Sequence, residues 1–76
     1  MGPVTEHVIH WQGMAIQIRH VAEWGAGYDH LEIRTIEPKR AKLPISETGY
    51  RSHFLPGFEL AEQGGAVAFV TAWLDH

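Results

Sequence analysis

The chain has no cysteine, so it has neither disulfides nor thiolate metal ligands. It also lacks any apolar run near the roughly 20 residues that span a bilayer. Its first residues, MGPVTEHVIHW, have neither the basic nor the apolar region of a signal peptide. Internal repeats and low-complexity segments are missing too. These absences lead to the expectation of a cytoplasmic protein with no membrane partner. At 76 residues it is expected to be one domain, 1–76. A chain this short buries only roughly 60% of its unfolded surface, so its core is under pressure to find support. Without disulfides, that support comes from close packing, a histidine/carboxylate metal site or a second subunit.

Lysine and arginine are few, at 6 against 9 acids, for a net charge of −3. Five of the six, Arg34, Lys39, Arg40, Lys42 and Arg51, lie within one stretch of the chain. Such a patch on an acidic body attracts an anion or a phosphate backbone. The plainer reading is a solvated basic turn.

Periodicity gives the fold. Residues 8–11 are apolar and partly β-branched, and Gln12-Gly13 marks a turn. Ile16, Ile18, His20, Ala22 and Trp24 then fall on one strand face, with Gln17, Arg19, Val21 and Glu23 on the other. Gly25-Ala26-Gly27 marks a second turn before a strand from Tyr28 to Ile36, stopped by Pro38. Near the C-terminus, Ala66, Phe69, Val70, Trp73 and Leu74 have the spacing of an amphipathic helix. The expected class is α+β. It is an antiparallel meander of three to four strands with one C-terminal helix packed on one face. The expected core is Ile16, Ile18, Ala22, Trp24, Leu31, Ile33, Phe69, Val70, Trp73 and Leu74. Trp11, Tyr50, Phe54 and Phe58 are expected to seal its edges.

Between these periodic parts lies LPISETGYRSHFLPG, residues 43–57, which reads as a long irregular loop. Long loops in small domains are usually functional or disordered, and Tyr50, Phe54 and Leu55 argue against disorder. The expected binding residues are Arg40, Lys42, Ser46, Thr48, Tyr50, Arg51 and His53. Hydroxyls and backbone N–H groups beside an arginine can hold an anion or a partner's carboxylate. The structural alternative has the aromatics folding onto the core and Arg51 pairing with a carboxylate.

A hydrolytic enzyme such as a ribonuclease is the competing reading. His53, Arg51 and Tyr50, with Glu47 or Glu32, could cleave RNA through its 2′-OH. No motif supports this, and no catalytic residue is assigned. The six histidines, at 7, 10, 20, 30, 53 and 76, have no metal-site spacing. No metal or other cofactor is expected, although His30 and Glu32 share a strand face. His20, on the apolar face, reads as a core histidine satisfied through one nitrogen. Val21 and Ile36 opposite the helix, joined by Trp11, and an uncovered hairpin edge lead to the expectation of a homodimer. A protein partner and a nucleic acid remain the other occupants.

The blocks LPISETGYRSHFLPG and GGAVAFVTAWLDH resemble short hypothetical proteins of bacteria, some from mobile or plasmid-like regions. That resemblance implies an accessory or regulatory binding role rather than metabolism. It brings no activity, cofactor or catalytic residue.

Overall fold

A computed structural model describes residues 2–76. Four strands, β1 (Val4–Trp11), β2 (Met14–Gly25), β3 (Tyr28–Glu37) and β4 (Tyr50–Pro56), precede two helices, α1 (Gly57–Glu62) and α2 (Ala66–Asp75). The sheet order is β1-β2-β3-β4, antiparallel throughout, so each strand lies beside its neighbour in sequence. This is the expected α+β meander with α2 as the C-terminal helix packed on one face, and α1 is a short helix additional to it. Among the described residues, no helix is long and apolar enough to cross a membrane.

Two tight turns make the meander. Gln12-Gly13 and Ala26-Gly27 all have positive φ, as two-residue hairpin turns of type I′ require. Register then sorts the side chains. Ile16 lies opposite Thr35, Ile18 opposite Ile33, and His20 opposite Leu31. Ile16, Ile18, Leu31 and Ile33 are fully buried and meet Val70, Leu74 and Ala66 of α2. Burying a side chain of this size is worth about 1.5–3 kcal/mol, so this cluster is the main source of stability. Leu43, Leu55 and Leu60 complete it.

The sheet's other face has no helix on it. Gln17, Arg19 and Val21 lie opposite Arg34, Glu32 and His30. Phe54, Ser52 and Tyr50 of β4 continue the His30, Glu32 and Arg34 rows.

Four expectations are corrected. The 43–57 segment is not one irregular loop, because Tyr50–Pro56 is an edge strand and Gly57 opens α1. Its strand character was hidden because polar residues occupy both faces: Ser52 outside, Arg51 and His53 inside. Next, Trp24 does not join the core and is 49% exposed. Four steps of β2, from Val21 to Gly25, face two steps of β3, from His30 to Tyr28. The two extra residues form a bulge with Glu23 at φ 51, and Trp24 turns to the open face. Asp29 fastens this bulge. Its carboxylate accepts the Glu23 N–H at 3.1 Å and lies 2.7 Å from His20 Nε2. His20 is thus the satisfied histidine that the sequence suggested. Finally, Trp11 belongs to the helix side, where its indole N–H donates to Asp75 at 2.7 Å. Phe58, expected as an edge seal, is 68% exposed.

Candidate functional site

Where β3 runs out, the chain turns back sharply through residues 38–42. The Arg40 N–H donates to the Thr35 carbonyl at 3.1 Å, and the buried Thr35 hydroxyl donates to the Ala41 carbonyl at 2.7 Å. Gly49 then passes against this turn at φ 74. A Cβ there would lie 2.6 Å from the Arg40 carbonyl carbon, so only glycine fits. Between turn and strand lies a pocket of about 390 Å³, lined by Arg34, Thr35, Ile36, Lys39, Arg40, Gly49 and Tyr50. Three of these residues are cationic and none carries a carboxylate. The Arg34 guanidinium sits over the Tyr50 ring at 5.5 Å, which orients it at the rim.

The Tyr50 hydroxyl points the other way along the sheet and donates to Glu32 at 2.8 Å. Arg19 bonds the other Glu32 oxygen at 3.1 Å. The Tyr50 hydrogen bond, with help from Arg19 and His30, holds the Glu32 carboxyl below the usual carboxylate range. The same bond raises the Tyr50 phenol above its ordinary value. The only carboxylate of β3 near the middle of the open face is therefore already engaged. Farther along, His30 Nε2 lies 2.7 Å from Ser52 Oγ, and the His30 and Phe54 rings stack at 4.2 Å. Trp24 meets Phe54 edge-on at 4.8 Å.

The hydroxyls of the 43–49 segment serve the backbone. Ser46 Oγ donates to the Tyr50 carbonyl at 2.5 Å and lies 3.1 Å from Thr48 Oγ1. Arg51 and His53 are on the helix side. Arg51 donates to the Ile45 carbonyl at 3.1 Å and lies 5.1 Å from the Trp73 ring centre. His53 packs against Trp73 at 4.7 Å and Phe69 at 5.8 Å. Burial, and then the Arg51 charge, push the His53 imidazole below its ordinary pKa.

A family model described as KlcB third domain matches residues 4–76. The chain belongs to the KlcB third domain family. No curated protein and no solved structure matches the chain.

In this KlcB third domain, the residues singled out from sequence divide three ways. Arg40 and Tyr50 meet at the pocket. Ser46 and Thr48 hold a turn, and Lys42 is exposed outside the pocket's lining. Arg51 and His53 face α2, across the sheet from Tyr50, so the proposed hydrolytic trio does not converge. Sequence reading missed Arg34 as a pocket residue and the His30–Phe54–Trp24 cluster as a unit. The signal for both was the alternation of β3 continued into β4, which needs β4 to be recognised as a strand. Among the described residues, no group of three His, Asp or Glu side chains is placed to hold a metal ion.

Proposed function

We propose that this domain is a small binding module that takes an anionic group of its ligand into the Arg34–Lys39–Arg40 pocket. The observation that carries this reading is three cations around one recess without a carboxylate. The backbone there is fixed by the Thr35–Ala41 and Arg40–Thr35 hydrogen bonds. A preformed site spends less binding energy on ordering. An accessory or regulatory role in the cytoplasm belongs to the same proposal.

Titration with pyrophosphate, followed by amide chemical shifts, tests it. Shifts are expected at Arg40, Gly49 and Tyr50, and the double variant R34A/R40A should abolish them. If those amides move no more than with sodium chloride at matched ionic strength, the reading is wrong.

Self-association is a second reading favoured by a separate observation. β1 is an edge strand of 8 residues, with Val4 and Val8 exposed on it. Pairing two β1 edges about a two-fold axis would cover both. Sedimentation equilibrium should then show a dimer that Val8→Lys dissociates; a monomer at every concentration would refute it.

A further inference from the structure

Every lysine and arginine lies on the sheet or in the turn after β3, whereas α1 and α2 carry Glu59, Glu62 and Asp75 and no basic residue. Six acids on the sheet and its loops balance the six bases there, so the net charge of −3 is that of the helices. The attraction is local to the pocket, whose lining has three cations and no carboxylate. The open face beyond the pocket is also differentiated. Arg34 and His30 are both on β3, four residues and roughly 13 Å apart. One end of this track holds the cations. The other holds His30, Phe54 and Trp24, with Phe54 44% and Trp24 49% exposed. Between them, Glu32 is neutralised by Arg19 and capped by Tyr50.

Aromatic rings on an uncovered sheet face, in line with a cationic recess, suit a ligand with alternating flat apolar groups and negative charges. Duplex nucleic acid keeps its bases stacked inside, so it presents no ring to Phe54. A single strand presents both. An acidic peptide would satisfy the cations but leave the aromatic end unused.

We infer that the open face binds single-stranded nucleic acid. Backbone phosphate enters the Arg34–Lys39–Arg40 pocket, and a base stacks in the Phe54–Trp24 cluster. This rests on the anion pocket proposed above and adds the stacking end. Phe54 is the base platform because its ring is already stacked on one side by His30 and borders Trp24 on another. Sequence preference is weak, since every base has a flat face. Each phosphate neutralised contributes about −0.7 to the slope of the logarithm of affinity against the logarithm of salt concentration, so one phosphate per cation would give about −2 and one shared phosphate about −0.7.

The test is fluorescence anisotropy with three labelled probes of equal length: an oligothymidylate, its abasic counterpart and a hairpin duplex. The wild-type domain should bind the oligothymidylate at least about 5-fold more tightly than the abasic strand, and Phe54→Ala should remove that advantage. The double variant R34A/R40A should weaken all strands and flatten the salt dependence. Equal binding of thymidylate and abasic strands, unchanged by Phe54→Ala but lost in R34A/R40A, would overturn the stacking inference and leave the anion pocket standing. A duplex bound as well as the single strand would also overturn it. So would no oligonucleotide binding alongside intact pyrophosphate shifts, which would point to a protein ligand. A concentration-dependent dimer that shields Trp24, the fluorescent neighbour of Phe54, from iodide quenching would assign the face to a second copy and refute the inference.

Discussion

The Tyr50 hydroxyl donates to the Glu32 carboxylate at 2.8 Å, joining β3 to β4 across the open face. The bond is diagonal, since Glu32 lies opposite Ser52 and Tyr50 opposite Arg34 in register. One phenol thereby serves two cross-strand neighbours, bonding Glu32 through its oxygen and receiving Arg34 on its ring.

Tyr50→Phe should let the Glu32 pKa rise toward an ordinary carboxylate value, measured by carbon NMR of its carboxyl group. Because folding lowers this pKa, the interaction stabilises the domain above pH about 4.5 and is lost as pH falls through the depressed folded value. The pair is partly exposed, so the variant should lose only about 0.5–1 kcal/mol in urea denaturation at neutral pH. An unchanged Glu32 titration would show that the hydroxyl does not set it.

His53 predicts an acid weakness of the opposite face. Its folded pKa is lowered first by burial and then by Arg51. The unfolded state therefore binds the proton more readily. Stability should be complete above about pH 6.5 and should fall as pH drops below it, until the folded-state pKa is passed. In His53→Gln, this part of the slope in urea midpoint against pH should vanish. A slope identical to wild type would refute the assignment.

Gly49→Ala places a methyl group 2.6 Å from the Arg40 carbonyl carbon at a φ of 74. The turn must shift to admit it. The expected cost is about 2 kcal/mol or more, a large share of the stability of so small a domain. Pyrophosphate shifts at Arg40 should weaken as well, because the pocket wall moves. Full stability in denaturation would mean that turn and strand are less closely packed than described.

Trp24 and Ile18, both on the expected core face, should behave differently. Ile18 is fully buried, and Ile18→Ala should cost about 2–5 kcal/mol. Trp24→Ala, at the bulge, should cost less than half as much and should remove a solvent-exposed component of the fluorescence. Equal costs would place Trp24 back in the core.

The strands and long helix were legible because one face of each is apolar. Ile16, Ile18, Leu31 and Ile33 keep period two, and Ala66, Val70 and Leu74 keep the helical stripe. The Trp24 bulge was not legible, because alternation alone predicts that the next even position stays inside. Only Asp29 accepting the Glu23 N–H shows how the register slips. β4 was obscured for a different reason. It is an edge strand with one fully buried side chain, Leu55, so its pattern lacks apolar contrast. The basic window did contain pocket residues, but Arg34 and Arg40 meet only because the turn doubles back on Thr35.

The helices hold three acids and no base, whereas the sheet and its loops hold six of each, with Arg34, Lys39 and Arg40 gathered at one end. This uneven placement gives the small molecule a permanent electric dipole. Near any polyanion it feels a torque before it makes a contact. It therefore rotates during its approach, and the turn after β3 arrives first, so fewer collisions are wasted on the wrong side.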